Sequence, residues 1–179
     1  MNLDVILEFV NLFCAGLLAG AEFIVCLGVR STITVLDEQP QIQLRPALIR
    51  RLRLLVPAVY LATLLSAVAV AVLVGTGDGF GFRCMGLLAV LVWTFTTFLG
   101  TVPINQATLT WRPNAPPKDW RSVVSRWERL DTVRFWAAVL VFAFFLMAVA
   151  LRLMSEAVCK SGPSGTGQTE VQAIIPLMA

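Results

Sequence analysis

The stretch Thr132-Val133-Arg134-Phe135-Trp136-Ala137-Ala138-Val139-Leu140-Val141-Phe142-Ala143-Phe144-Phe145-Leu146-Met147-Ala148-Val149-Ala150-Leu151-Arg152-Leu153 decides the fold. Its charges stand only near its two ends. About 20 apolar residues in one helix cover a hydrocarbon core of roughly 30 Å at 1.5 Å per residue. Three further blocks repeat this pattern, from about Val5 to Val29, Leu54 to Val74 and Met85 to Ile104. The first block is not read as a cleaved signal peptide. It lacks a basic leader, is too long, and carries Glu8, Asn11 and Glu22.

Composition agrees. Hydrophobic residues make up 58% of the 179, and charged residues only 14%. A soluble domain carries about 25% charged residues. This apolar excess cannot be hidden inside a soluble domain of this size. It also excludes disorder for most of the chain. The expected fold is an all-α integral membrane four-helix bundle, a single domain over 1–159. The stretch 160–179 is rich in Gly, Ser and Thr and is expected to be a disordered tail.

The charges orient the bundle. With four spans, the 1–2 and 3–4 loops share one side. They hold eleven of the 14 Lys and Arg residues. Only Arg83, Arg152 and Lys160 fall on the other side. Cytoplasmic loops carry the basic excess, so both loops are expected in the cytoplasm and both termini outside. The expected location is a bacterial cytoplasmic membrane. Pro116-Pro117 opens a helix that nothing breaks before Ser161-Gly162-Pro163. One helix is therefore expected from about Lys118 to about Ala157, with its first turns extended into the cytoplasm. Pro46 is expected to open a short interfacial helix ending at Arg53.

Several functions are excluded at once. The chain has no His, so it has no His-ligated metal, no haem on a proximal His and no triad with a His base. Its arginines sit between apolar blocks, not beside aromatics on a soluble face, so no nucleic acid partner is expected. Cys14, Cys26, Cys84 and Cys159 form no CxxC pair. A Cys84–Cys159 disulfide stays open, because both are expected outside. Gly75-Thr76-Gly77-Asp78-Gly79-Phe80-Gly81 lacks the Lys-Ser/Thr of a phosphate loop and reads as a flexible outer loop.

Polar residues inside apolar blocks need a reason, because they are costly at membrane depth. Glu8, Asn11 and Glu22 fall within about 60° of one another on a helix, on a stripe with Ala15 and Ala19. Small residues beside polar ones suit a close helix contact. Glu8 and Asn11 read as packing. Glu22 is deeper and reads equally as a structural pair or a functional carboxylate. In the third block Thr94, Thr97, Thr101 and Asn105 form a polar stripe. Thr94 and Thr97 are expected to bond back to their own helix carbonyls. The fourth helix carries Trp120, Val124, Trp127, Asp131 and Arg134 at steps of three and four. Asp131 and Arg134 could pair locally. With Tyr60 from the second block, four helices bring polar groups to one depth in apolar walls. That is the usual form of a small-molecule pocket.

The run Thr101-Val102-Pro103-Ile104-Asn105, then Arg126-Trp127-Glu128-Arg129-Leu130-Asp131-Thr132-Val133-Arg134, and Ala19-Gly20-Ala21 in the first block, resemble the anthrone-oxygenase-like family of small four-helix membrane proteins. The resemblance covers about residues 5–155. Pro103, Asn105, Trp127 and Arg134 match the family's pattern. Many members have His where this chain has Asp131, and commonly Thr where it has Phe135. If that His carries a proton in the family, a carboxylate must do so here, or the activity is lost.

The resemblance implies a monooxygenase that turns anthrones into anthraquinones, with O2 as co-substrate and no cofactor. Such chemistry needs a base, donors for a developing oxyanion and an aromatic slot. Glu22 and Asp131 are the implied bases. Asn105, Arg134 and Tyr60 are the implied oxyanion partners. Trp127 is suited to stack on a flat ring, and Thr101 joins Tyr60 and Trp127 as a substrate-binding residue. The implied partners are the lipid bilayer and a lipophilic aromatic molecule, with a homo-oligomer left open. The rival reading is a non-enzymatic membrane scaffold or partner subunit. A carrier is weaker, because paired broken helices are not seen in the sequence.

Overall fold

The computed structural model describes residues 3–112 and 115–161. Four helices are long and apolar enough to cross a membrane: α1 (Leu3–Thr34), α2 (Glu38–Leu73), α3 (Phe80–Thr108) and α4 (Trp120–Ser161). Each outlasts its apolar block by several residues. The α1–α2 and α3–α4 connections lie at one end of the bundle, where Glu38 meets Trp120 and Arg121. We call this the loop end. The other end is the terminus end. Of the expected tail, Lys160 and Ser161 belong to α4. Its remaining residues, 162–179, lie outside the described ones.

One expectation about the connections needs correction. No separate interfacial helix starts at Pro46. Both Pro46 and Pro57 lie inside α2, which is unbroken from Glu38. Each proline removes one i→i−4 bond and crowds the carbonyl before it. Long helices absorb this when neighbours pack against the bend. Ile42, Arg45 and Pro46 are all buried, so the segment before the apolar block packs inward instead of lying flat. The glycine-rich stretch is tied to the start of α3. It is a short turn whose Gly75 and Gly77 carbonyls accept hydrogen bonds from Arg83 Nη2 at 3.1 and 3.3 Å.

The helices pack in the order α2–α1–α4–α3, with extensive contact at those three seams and little between α2 and α3. Small residues make the tight seams possible. Ala15, Ala67 and Ala138 are fully buried. Gly86 faces the Phe145 ring so closely that a Cβ would stand 3.0 Å from it. Leu18, Trp93, Val141 and Phe145 fill the centre. Phe13, Leu65, Leu99 and Trp136 point outward. An outer surface of that kind suits lipid.

The terminus end is closed by ions. Glu8 receives Arg83 Nη1 at 2.8 Å on one oxygen and Arg152 Nη1 at 3.0 Å on the other. Arg152 also meets Glu156 and Asp4. One turn deeper, Ser66 donates to Asn11 at 3.1 Å. Glu8 and Asn11 therefore serve packing, as their stripe suggested. All four cysteines are free, so the Cys84–Cys159 bridge is not formed.

Gly79 ties the turn to α4. Its φ is +79°, and an added Cβ would stand 2.6 Å from the Ala148 carbonyl oxygen. Gly79→Ala should therefore lower stability by about 1–2 kcal/mol or more through backbone strain alone. Gly77→Ala, with open space around its Cβ position, should be close to neutral. Thermal unfolding of both variants in detergent checks this.

Candidate functional site

A cavity of about 340 Å³ lies toward the loop end, where α2 and α3 part. Small-molecule pockets span about 300–1,000 Å³, so this one is at the smaller end. Leu48, Ile49, Leu52 and Val56 from α2 form one wall. Tyr60, Trp93, Phe98 and Trp127 supply aromatic faces. Thr97, Thr101, Asn105, Asp131 and Arg134 supply the polar atoms.

Local backbone irregularity sits at this depth. α1 widens to a π-helical turn over Ile24–Val29, and α3 does so over Thr96–Thr101. Such turns often mark functional sites. Side-chain hydroxyls bond to carbonyls in or beside both turns. Ser31 and Thr32 donate to the Leu27 and Gly28 carbonyls of the first turn. Thr96 donates to the Val92 carbonyl just before the second. Val25, Thr97, Phe98 and Thr101, all within the two turns, face the cavity.

Behind the polar wall is a buried ion pair. Glu22 Oε1 accepts from Arg134 Nη2 in a short contact, and from Trp93 Nε1 at 3.1 Å. Both charged side chains are buried. The Arg134 guanidinium also lies 5.0 Å from the centre of the Trp93 ring. Trp93 stacks on Tyr60 with centroids 4.5 Å apart and planes 18° from parallel. The Tyr60 hydroxyl meets Thr94 Oγ1 at 2.8 Å, and Thr94 donates to the Val90 carbonyl. With the Thr94 proton so engaged, Tyr60 donates to Thr94.

Asn105 and Trp127 form the second fixed unit. Trp127 Nε1 donates to Asn105 Oδ1 at 3.1 Å, which leaves the Asn105 amide NH2 free to donate. Arg45 lies 5.6 Å from the centre of the Trp127 ring. Arg45 and Arg30 meet Glu128 at 3.5 and 3.8 Å, and Arg30 donates to Thr132 at 2.9 Å. This charged lid joins α1, α2 and α4 at the loop end.

Several polar atoms here have no hydrogen-bond partner among the described residues. They are both oxygens of Asp131, the hydroxyls of Thr97 and Thr101, Arg134 Nε and Glu22 Oε2. Asp131 is fully buried. A buried polar group without a partner costs about 1–3 kcal/mol, more if charged. The unpartnered atoms of Asp131, Thr97, Thr101 and Arg134 belong to residues of the cavity wall, where such groups favour water or a ligand that completes them.

The sequence-based expectations divide. Tyr60, Thr101, Asn105, Trp127, Asp131 and Arg134 all line the cavity. Glu22 does not. It stands behind Arg134 and Trp93, with one oxygen accepting from both. The expected local pair of Asp131 with Arg134 is not formed, because Arg134 turns to Glu22. Thr94 bonds back to its own helix, whereas Thr97 does not. Sequence reasoning missed Trp93 and the α2 wall. A lone Trp in mid-block needs a partner for its indole N–H, and that need pointed to a carboxylate at the same depth.

Removing the counter-charge tests the structural role. Glu22→Gln should lower stability by about 3–5 kcal/mol, because Arg134 is left buried without its carboxylate. Replacing both members, Glu22→Leu with Arg134→Met, should recover much of that loss. Thermal melts of the single and double variants give the comparison. No protein-family model, curated protein or solved structure matches the chain.

Proposed function

We propose that the chain is a membrane-embedded, cofactor-independent oxygenase acting on a flat, lipophilic, anthrone-like aromatic molecule, with O2 as co-substrate. The observation that carries this reading is the fully buried Asp131 carboxylate, unpartnered on the wall of an aromatic cavity. A base of this kind, held in apolar surroundings, is suited to take a proton from a weakly acidic benzylic C–H. The chain's resemblance to the anthrone-oxygenase-like family, at Pro103, Asn105, Trp127 and Arg134, supports the same reaction.

In this mechanism the substrate ring lies among Tyr60, Phe98 and Trp127. Asp131 takes the benzylic proton, and the negative charge moves onto the substrate's carbonyl oxygen. Arg134 Nε, the Thr101 hydroxyl and the Asn105 amide are the donors for that oxyanion. The carbanion passes one electron to O2, the resulting radical pair combines as a peroxide anion, and the proton held by Asp131 returns to it to give the hydroperoxide. Loss of water leaves a second carbonyl, so CH2 and O2 become C=O and H2O. Glu22 takes no proton in this scheme. It holds Arg134 in place.

A second reading, a non-catalytic scaffold, is favoured by the closed contacts of Glu22 with Arg134 and of Asn105 with Trp127. Turnover separates the two. Asp131→Asn in lipid nanodiscs should keep its melting temperature near that of the wild type. It should lose conversion of an anthrone to its anthraquinone, followed by absorbance, by about 10²-fold or more. Equal turnover in the two proteins removes Asp131 as the base. No turnover in the wild type leaves the scaffold in front.

The orientation belongs to the same proposal: loop end and projecting start of α4 in the cytoplasm, both termini outside. Arg83 and Arg152 are taken up by Glu8, so Lys160 is the one remaining basic residue at the terminus end among the described residues. The basic excess at the loop end supports this side as the cytoplasmic one. A reporter active only outside the cytoplasm should work when fused after Lys160, and a cytoplasmic reporter there should stay silent.

A further inference from the structure

The mouth of the cavity carries a second polar element that the oxygenase chemistry does not use. The other three seams of the bundle are tightly packed, so the cavity opens where α2 and α3 separate. Of the residues lining it, Pro57 and Phe98 are exposed at the deeper part of the seam, and Arg53 and Gln106 toward the loop end. Arg53 has no ion pair, hydrogen bond or ring contact among the described residues. The other arginine of the cavity wall, Arg134, is held by Glu22. The site thus has a free guanidinium at its rim and an unpartnered, fully buried carboxylate inside.

The spacing along α2 sets the length of molecule that reaches both. Arg53 and Tyr60 are two turns apart, about 10 Å by the helical rise. Tyr60 stacks on Trp93, which lies against Arg134 at the inner end. A flat molecule about three fused rings long reaches from this stack to the rim. An apolar body enters such a slot from the lipid, whereas an ionised group remains near water.

Building on the function proposed above, we infer that the substrate is an acid: a fused aromatic bearing a carboxylate at its outer end, which Arg53 holds at the rim while the reacting carbon lies at Asp131. Gln106, also exposed on the cavity lining, offers an amide donor from α3. Planar guanidinium and carboxylate groups match in a two-bond fork, which makes Arg53 a specificity-determining residue and not a catalytic one.

The test is binding, read without turnover. The wild-type protein in nanodiscs of zwitterionic lipid is titrated with anthracene-2-carboxylate and with anthracene, and occupancy is followed by equilibrium dialysis against protein-free nanodiscs. Arg53→Gln and Arg50→Gln are titrated in parallel. Arg50 carries the same charge on the same helix but does not line the cavity. The wild type should bind the carboxylate at least about tenfold more tightly than the hydrocarbon, once each is corrected for its partition into lipid. Arg53→Gln should lose that preference and keep its affinity for anthracene, and Arg50→Gln should keep both. Equal binding of the two ligands by the wild type overturns the inference and leaves the aromatic site standing. So does a preference that survives in Arg53→Gln, or one lost equally in Arg50→Gln. Failure of the wild type to bind either ligand overturns the inference and the proposed function together.

Discussion

The buried pair of Glu22 and Arg134 is the constraint on which the loop-end half of the bundle depends. An isolated charge at that depth is costly, and each side chain is tolerable only because the other is there. The pair fixes α1 against α4. Because Glu22 also takes the Trp93 indole proton, α3 is held by the same carboxylate. Three helices are thus locked in rotation about a single oxygen, and α2 joins through the stacking of Tyr60 on Trp93. The cavity takes its shape from that arrangement. Arg134 and Asp131, one turn apart on α4, are both presented to it because Glu22 stands on the other side of the arginine.

The opposite end uses the same device with a different outcome. There Glu8 has two arginines, one on each oxygen, and the turn after α2 supplies two carbonyls to Arg83. Little is left unsatisfied beyond the Arg83 Nε proton. Among the described residues, the gap beside Glu8, Asn11 and Arg83 has no room for a water molecule. The contrast separates a polar cluster built to hold helices together from one built with atoms to spare. In the first, acceptors and donors consume one another. In the second, Asp131 and two threonine hydroxyls stay available beside open space.

Much of the frame was legible from the sequence. Apolar blocks of spanning length gave four helices, because a backbone in lipid must satisfy itself. The stripe of Glu8, Asn11, Ala15 and Glu22 gave the inner face of α1, because only that face avoids lipid. Six of the residues named from polar periodicity line the cavity. The direction in which each side chain points was less legible. Glu22 and Asp131 looked equivalent as carboxylates in apolar helices. Which of them meets Arg134 depends on helix rotation and spacing between helices, which no single strand of sequence encodes. The continuous α2 was missed for a related reason. Pro46 signals a start only when the preceding turn has nothing to pack on, and here Ile42 and Arg45 are buried.

The two π-helical turns change what a length difference would do to this protein. A turn bonded i→i+5 takes in one residue more than its α-helical counterpart. Removing one residue from an ordinary membrane helix rotates everything beyond it by about 100° and turns an inner face toward lipid. In Ile24–Val29 or Thr96–Thr101 the surplus residue is already present, and the faces on either side are set with it included. A one-residue deletion there would let the helix close into regular α form without breaking its ladder. It would also turn Arg30 away from Glu128 in α1, or Asn105 away from Trp127 in α3. The bundle could keep its four spans while losing the geometry of its cavity. At these two places, chain length and site architecture are the same variable.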